Sequence, residues 1–354
     1  FTLSGGTLFG AGMEPTAGTQ AYIAVGETSP SGGGMGGGGM DGNANKTDIS
    51  AKGIKAVGLY SDEAKTTYVS GGDITINGGT LNIDSSDDSL HCAGTMQILG
   101  GDLKLASADD GIHSDTDVII GSESDATNYT SPSVDISYSY EGVEGVTVTM
   151  NSGSVMVYST DDGFNAAGGA DSSGNSNPGG WGQGGWGGGS SSSSNDYKLT
   201  FNGGYTYVNA AGDGLDSNGD MFINGGYIFV SQTGGGNGPL DCGDNNNSIN
   251  YTGGVLVAGG SSDMFETPSS YSFLTSSSLA AGSTVTFTDS NGTVLATMTF
   301  ANSSSKMVMS APENSVTCYT GGTLSGTTYF PSSTSDANRS VVCGYGGTIS
   351  GGTT

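Results

Sequence analysis

Pairs of acidic residues recur along this chain beside a glycine and a large apolar residue. The pattern is clearest in Asp109-Asp110-Gly111-Ile112 and Asp161-Asp162-Gly163-Phe164. Carboxylates stacked about 5 Å apart repel one another unless a cation or a raised pKa relieves the repulsion. Because Ca²⁺ prefers hard oxygen ligands, the sequence predicts one or more Ca²⁺ ions here; the alternative is a solvated edge of Asx-turns. Aligned repeats place these carboxyl groups in neighbouring positions of successive rungs, which we together call the acidic column: Asp87, Asp88, Asp109, Asp110, Glu141, Glu144, Asp161, Asp162, Asp213 and Asp216.

The only two histidines, His91 and His113, follow acidic pairs at the same position of successive repeats, and Glu144 comes next in that series. Imidazole and carboxylate are ligands for transition metals and the usual groups of acid–base catalysis. Such residues also form hydrogen-bonded ladders that do no chemistry. Both interpretations remain open at this point.

The case for an enzyme is weak in the sequence. A polysaccharide lyase needs a strong base near its acidic cluster, and the only arginine, Arg339, lies far along the chain. No nucleophile with an activating base emerges from the motifs. Catalysis therefore stays uncertain, and a protein without it is favoured.

Aromatic residues alternate with small or aliphatic ones on two neighbouring repeats. The alternation sends Tyr205, Tyr207, Tyr227 and Phe229 outward, where a flat aromatic face could stack against sugar rings. Trp181 and Trp186 lie in a glycine-rich loop and are the other candidate sugar contacts. The alternative is that a C-terminal hairpin or a neighbouring subunit covers these rings.

A repeat of 21 or 22 residues must position all these groups, as the spacing of Val143 from Phe164 and of Leu90 from Ile112 illustrates. This length suits one turn of three short strands, and the predicted fold is an all-β, right-handed parallel β-helix of about seven rungs. Alternation predicts two inward columns. The first contains Leu81, Leu103, Val155, Thr206, Ile228 and Leu256; the second contains Ile83, Leu105, Val157, Val208, Val230 and Ala258.

Three regions follow from the pattern. Residues 1–47 form a glycine-rich N-terminal segment, interpreted as a cap or an inter-subunit strand, and residues 48–260 form the β-helix. Residues 261–354 form a C-terminal β unit, in which Asn291-Gly292 predicts a β-hairpin that caps the last rung. Corner insertions are predicted at residues 57–70, 121–133 and 168–197.

Stacking constrains the four cysteines. Cys92 and Cys242 fall in one column five rungs apart, about 24 Å at strand spacing, which is too far for a disulfide. Cys318 and Cys343 share the C-terminal unit and are the predicted bridge of a secreted protein; the alternative is four free thiols.

The charge balance limits the partners. Eight Lys and Arg against 34 Asp and Glu give a net charge of −26, which repels nucleic acid and anionic lipid. The sequence offers no apolar stretch long enough for membrane insertion. The richness in Gly, Ser, Thr and Asn predicts an extracellular or cell-surface protein. Seven N-x-S/T sequons permit glycosylation without arguing for it.

Several of these runs resemble one known family. They include Tyr140-Glu141-Gly142-Val143-Glu144, Asp161-Asp162-Gly163-Phe164-Asn165, Gly212-Asp213-Gly214-Leu215-Asp216 and Gly253-Gly254-Val255-Leu256-Val257. They are similar to extracellular bacterial proteins described as carbohydrate-binding domain-containing, whose fold is like that of pectate lyases. Over about residues 48–325 the resemblance implies a right-handed β-helix, bound Ca²⁺, and binding of cellulose or acidic sugars without established catalysis. Residues 168–197 and the segment Phe1–Ser31 depart from it.

Two functions follow, and a polysaccharide lyase ranks third. The first is non-catalytic binding of polysaccharide, with Ca²⁺ as the probable cofactor. The second is a self-assembling filament whose subunits join head-to-tail through their β-helix ends. The reason for the filament hypothesis is a near-repeat of one string: Thr2-Leu3-Ser4-Gly5-Gly6-Thr7 returns as Thr348-Ile349-Ser350-Gly351-Gly352-Thr353. Both strings look like rung fragments without a partner strand.

Overall fold

The described chain is all-β. A computed structural model describes residues 2–7, 23–25, 52–60, 68–167, 197–243, 247–332, 339 and 341–354. Over these residues the secondary structure is strands joined by turns, with one short 3₁₀ turn at Glu123–Asp125. No helix among them is long and apolar enough to cross a membrane. The predicted all-β class is confirmed.

Twenty-two strands make up the described part of the chain before residue 261. They are β1 (Thr2–Thr7), β2 (Ile23–Val25), β3 (Ile54–Ala56), β4 (Leu59–Tyr60), β5 (Tyr68–Ser70), β6 (Ile74–Ser85), β7 (Leu90–Cys92), β8 (Met96–Ser107), β9 (Ile112–Ser114), β10 (Asp117–Ile120), β11 (Ser133–Ser139), β12 (Val143–Glu144), β13 (Thr147–Met150), β14 (Ser154–Ser159), β15 (Phe164–Ala166), β16 (Lys198–Phe201), β17 (Tyr205–Ala210), β18 (Leu215–Ser217), β19 (Asp220–Ile223), β20 (Tyr227–Gln232), β21 (Ile249–Tyr251) and β22 (Val255–Gly260).

These strands form three parallel stacks. The long strands β6 and β8 each contribute their first half to one stack and their second half to another. The first stack continues through β10, β13, β16, β19 and β21, and the second through β11, β14, β17, β20 and β22. The third, which we call the corner stack, runs β3, β7, β9, β12, β15 and β18. Each strand pairs with its counterpart one repeat later, as the sequence predicts.

The second stack contains both predicted inward columns. Leu81 pairs with Leu103, and the series continues to Val155, Thr206, Ile228 and Leu256, all buried. The structure adds one strand, β11, that the two predicted columns omitted. Val134 and Ile136 of β11 lie between Leu103 and Val155 in the first column and between Leu105 and Val157 in the second. Together with the inward residues of the other stacks they fill one continuous apolar core.

The corner stack fixes the register of the acidic column. Its inward side chains pair in the predicted series and are all buried after the first: Ile54, Leu90, Ile112, Val143, Phe164, Leu215 and Leu240. The same series puts Cys92, beside its second member, and Cys242, beside its last, five steps apart. Seven successive passes therefore share one register, in line with the repeat count from the sequence.

The C-terminal unit contains nine strands over the described residues. They are β23 (Phe273–Thr275), β24 (Thr284–Thr288), β25 (Val294–Thr299), β26 (Lys306–Ser310), β27 (Thr317–Thr320), β28 (Thr323–Ser325), β29 (Thr328–Tyr329), β30 (Cys343–Tyr345) and β31 (Thr348–Ser350). Strands β24 and β25 are the hairpin expected around Asn291-Gly292, and Gly292 has the positive φ of 82° that this turn requires.

This unit does more than close the last rung. Strand β26 runs antiparallel along β22 and so covers the edge of the second stack. The sheet ordered β27-β24-β25-β30-β29 lies over the outer face of the same stack, where Phe287, Met298 and Phe300 form a second apolar core with its outward residues. The predicted cap is thus also a lateral cover.

The cysteine prediction is wrong in the C-terminal unit. Cys318 lies on β27 and Cys343 on β30, and strands β24 and β25 separate them within one sheet. Three strand spacings place their backbones about 14 Å apart, beyond the reach of a disulfide. All four cysteines are free, which is the alternative left open by the sequence.

The two similar strings at residues 2–7 and 348–353 both contain strands that pair with other strands of the chain. Strand β1 pairs in parallel with β6, with Thr2 opposite Thr75 and Thr7 opposite Thr80. Strand β31 pairs antiparallel with β28, with Ile349 opposite Leu324. The near-identity of the two strings therefore no longer motivates the filament hypothesis.

Candidate functional site

The acidic column is built by the corners that precede the strands of the corner stack. At each corner the acidic pair is followed by a residue that fits closely against the next rung; Gly163 N, for example, donates to Asp213 O. The chain can approach so closely there because Gly163 has no side chain. The corner therefore directs the preceding carboxylates to the same side on every rung.

The carboxylates of the column bond to the next rung. The amide of Asp110 donates to Asp88 Oδ1 at 3.1 Å, and the amide of Glu141 donates to Asp110 Oδ1 at 3.3 Å. The same contact recurs from Asp213 N to Asp162 Oδ1 at 2.6 Å. The Asx-turn alternative assigned these carboxylates to their own corner amides, whereas Asp88, Asp110 and Asp162 tie successive rungs together. Asp87 Oδ1 does accept from the adjacent Asp88 N.

Lys52 neutralises the first acidic pair. Its ammonium lies 2.9 Å from Asp87 Oδ1 and 2.5 Å from Asp88 Oδ2, and all three side chains are almost completely buried. Burial acts to raise the pKa of Asp88, but the hydrogen bond from His91 and the charges of His113 and Lys52 hold that pKa well below its usual value. This end of the column already has its own cation.

The two histidines lie side by side in the column. His91 Nδ1 is 2.7 Å from Asp88 Oδ2, and His113 Nδ1 is 2.8 Å from Asp110 Oδ2 and 2.6 Å from Glu144 Oε2. Burial acts to lower the pKa of His113, yet the charge of Glu144 and the hydrogen bonds to these carboxylates raise it well above its usual value. The structure brings together the trio that the sequence singled out.

The far end of the column has no cation in the described part of the chain. Among the residues that the structure describes, no Lys, Arg or His forms an ion pair with Asp161, Asp162, Asp213 or Asp216. Burial, with the charges of neighbouring carboxylates, raises the pKa of Asp162 well above its usual value, that of Asp213 to about 7 and that of Asp216 to about 8. We call these four residues the acidic cluster.

Gly212 packs closely against the acidic cluster. A Cβ at Gly212 would overlap Oδ1 of both Asp161 and Asp162, so these two oxygens converge on one point. Oxygen atoms that converge without a positive partner form a donor set suited to a hard divalent cation. The residues present therefore fit Ca²⁺ here better than at the Lys52 end.

The flat aromatic face predicted from the sequence is mostly covered. Tyr205, Tyr207 and Phe229 are fully buried beneath the C-terminal unit, and Phe330 stacks on Tyr205 with ring centroids 4.4 Å apart. The prediction that these three rings face sugars is wrong, because the outward face of the second stack serves as the core for the unit above it. Of the four, Tyr227 alone is partly exposed. Trp181 and Trp186 lie outside the described residues.

A different aromatic surface surrounds Tyr227. Tyr345 stacks on it at 4.8 Å, and Tyr129 meets its edge at 5.7 Å. All three are partly exposed, and Phe330 packs behind them. We call Tyr129, Tyr227 and Tyr345 the tyrosine cluster. The sequence analysis found only Tyr227, because the other two come from a corner insertion and from the C-terminal unit.

Local turns hold the two added tyrosines. Tyr129 lies in the predicted insertion between β10 and β11, where Asn128 Oδ1 accepts from the amides of Thr130 and Ser131. Tyr345 ends β30 and is followed by Gly346 and Gly347, both with positive φ. The strand and the Asn-centred turn therefore present both rings to the same patch.

Arg339 lies away from the acidic column. Its guanidinium pairs with Asp135 at 3.1 Å and lies 4.9 Å from the ring of Tyr158. Both partners belong to strands of the second stack, so Arg339 helps to dock the C-terminal unit. The base that a lyase would need near the carboxylates is not supplied by this residue.

One comparison with known proteins gives a match. A family model described as carbohydrate-binding domain-containing protein matches residues 34–111. The matched part includes the first acidic pairs and His91, whereas the acidic cluster and the tyrosine cluster lie beyond it. No curated protein and no solved structure matches the chain.

Proposed function

We propose that this chain is a non-catalytic polysaccharide-binding protein of the extracellular space or cell surface. The match of residues 34–111 to a carbohydrate-binding family supports the ligand class. Three parallel stacks linked by short connections support a β-helix, and the strong bias of parallel crossover connections supports a right-handed one. The composition, rich in Gly, Ser and Thr, supports the location.

The observation that carries this proposal is the tyrosine cluster. Sugar rings bind to aromatic faces that are held rigid and remain open to water, with hydroxyl groups at their edges. Tyr227 is held by its strand, Tyr345 by stacking on Tyr227, and Tyr129 by its turn. A neutral glucan such as cellulose suits this surface, because an anionic sugar would meet the net charge of −26.

Removing one ring should weaken cellulose binding. Tyr129→Ala and Tyr345→Ala are each expected to lower affinity about tenfold, equivalent to about 1.4 kcal/mol. Depletion of the protein from solution by microcrystalline cellulose measures this effect.

Tyr271→Ala is the matched control, since Tyr271 is 47% exposed and lies outside the cluster. It should bind as the unaltered protein does. If all three variants bound equally, the tyrosine cluster would not be the sugar site. If the unaltered protein ignored cellulose and other polysaccharides, the proposed function would fail altogether.

We further propose that the acidic cluster holds Ca²⁺. Asp161, Asp162, Asp213 and Asp216 would bind it, and the uncompensated carboxylates, of which Asp213 is buried and the others are partly buried, support this assignment. The bound ion would neutralise like charges on adjacent rungs and so stabilise their stacking. Stability should therefore depend on Ca²⁺ wherever these carboxyls are ionised.

A further inference from the structure

The histidine pair forms a rigid arrangement on adjacent rungs. His91 on β7 pairs directly with His113 on β9, and their rings stack 4.7 Å apart at an angle of 9°. The two side chains are nearly completely buried. Their orientation is therefore set by the fold and not by chance contacts at a surface.

The carboxylates of the column determine which ring nitrogens can bind a metal ion. Asp88 lies against Nδ1 of His91, and Asp110 lies against Nδ1 of His113. A carboxylate that accepts the Nδ1 proton fixes the tautomer whose Nε2 carries the lone pair, and this is the arrangement seen behind metal-bound histidines. Both Nε2 atoms consequently point to the opposite side of the rings.

A third ligand atom lies where the two Nε2 atoms point. Asp115 Oδ1 is 3.5 Å from His91 Nε2 and 3.4 Å from His113 Nε2. This oxygen is buried and accepts no other hydrogen bond among the described residues. Bonds of about 2.1 Å to a tetrahedral ion separate its ligand atoms by roughly 3.4 Å, so both distances to Asp115 suit a shared ion.

We infer that His91 Nε2, His113 Nε2 and Asp115 Oδ1 form a binding site for a first-row transition-metal dication of the zinc class. Three protein ligands leave the fourth position to water on the partly exposed side of Asp115. The ring centroids lie 4.7 Å apart, so the two Nε2 atoms need to approach each other by roughly 1.3 Å to share the ion.

Charge favours the same ion. The two rings are surrounded by Asp88, Asp110, Glu144 and Asp115. Lys52 pairs with Asp88, and Lys55 lies opposite His91 on the neighbouring strand, so the carboxylates outnumber the cations around the site. Two nitrogen ligands distinguish this site from the all-oxygen acidic cluster, because imidazole suits zinc-class ions and Ca²⁺ prefers oxygen. The inference is therefore independent of the proposed Ca²⁺ site and of polysaccharide binding.

Histidine-selective NMR of the tag-free protein tests the site directly, since the chain has only two histidines. One equivalent of Zn²⁺ should shift the Nε2 resonances of both rings and leave both Nδ1 atoms protonated. Substitution of Co²⁺ should give the visible absorption bands of a tetrahedral ion. Excess Ca²⁺ should not reverse either signal.

Variants assign the ligands. His91→Gln and Asp115→Asn should each lower Zn²⁺ affinity by about tenfold or more, and Asp115→Asn, at a partly exposed position, should leave the fold intact. Glu123→Gln, an exposed acidic residue on the 3₁₀ turn, should bind Zn²⁺ as the unaltered chain does. The inference is overturned if Zn²⁺ shifts neither ring or only one. Displacement of Zn²⁺ by Ca²⁺, or unchanged affinity in Asp115→Asn, would overturn it equally.

Discussion

In the absence of divalent cations, the protein should become less stable as the pH rises from about 5 to about 8. The cause is the acidic cluster, in which burial raises the pKa of Asp213 to about 7 and that of Asp216 to about 8. In the unfolded chain both carboxyls titrate near their ordinary value of 3.8. At pH values between the unfolded and the folded pKa, the folded state holds protons that the unfolded state has released. The free energy of unfolding falls with rising pH over that range, because the folded state binds more protons than the unfolded state.

The size of the effect follows from the shifts. Each pKa unit corresponds to about 1.4 kcal/mol, so two carboxyls shifted by several units destabilise the ionised protein by at least about 3 kcal/mol. Asp162, Asp110, Glu141 and His113, whose pKa values are all raised well above their usual values in the folded state, add to the same trend. Asp88 has the opposite sign, since its pKa is lowered, but its contribution is lost only on strong acidification, outside this pH window.

Ca²⁺ should restore the stability that ionisation removes. At pH 8 it binds carboxylates that are already deprotonated, whereas at pH 5 protons compete for the same oxygens, so the stabilisation is larger at pH 8. At one hundred times its dissociation constant a single ion contributes about 2.7 kcal/mol. Urea unfolding at both pH values, with a chelator and with Ca²⁺, measures the two effects together.

Asp216→Asn is the informative variant, and the exposed Glu123→Gln is its control. The asparagine should flatten the pH dependence of the chelated protein and weaken the response to Ca²⁺, while the control should keep both. A chelated protein whose unfolding midpoint is level or rises between pH 5 and pH 8 would refute the raised pKa values. Indifference to Ca²⁺ at pH 8 would refute the ion.

The repeat could be predicted from sequence because each rung repeats the same local signals. Alternation defined the inward columns, and Gly-Gly pairs marked most corners, so the register of Leu81 through Leu256 is correct. The strand omitted from the columns lacks that marker. Strand β11 is preceded by Ser131-Pro132 instead of a Gly-Gly pair, so Val134 and Ile136 were not recognised as members of the columns.

The site depends on contacts that no local pattern contains. Period-2 alternation correctly sends Tyr205 outward, but it carries no information about the distant unit that then covers it. The same limit hid Tyr345, which reaches Tyr227 across more than one hundred residues of chain. The column of carboxylates was predictable, whereas its division into a Lys52 end and an uncompensated end was not, because Lys52 precedes the first acidic pair by a whole rung.

Gly163→Ala should destabilise the protein by about 3 kcal/mol, through overpacking of a position that has no room for a methyl group. A Cβ there would overlap Val208 Cγ1 and come within 2.5 Å of Gly214 O. Neither neighbour can withdraw cheaply. Val208 is fully buried in the second inward column, and Gly214 O accepts the amide of Phe164. Thermal and urea unfolding measure the loss, and Gly235→Ala, with open space around its Cβ, should cost little.

The corner at Ser89, which carries a side chain where the corners on either side have glycine, identifies the origin of the clash. Ser89 aligns with Gly111 in the corner stack, so a side chain is tolerated there. The inward residue beside Ser89 is Leu105. At the glycine corners a β-branched residue takes that place, and an added Cβ would meet it: Ile136 at Gly111, Val157 at Gly142, Val208 at Gly163 and Val230 at Gly214. β-Branched side chains carry a methyl group directly beside the corner, and leucine branches one atom further out. Val208→Leu should therefore recover part of the stability lost in Gly163→Ala. If the double variant were no more stable than the single one, the Val208 methyl group would not be the source of the clash.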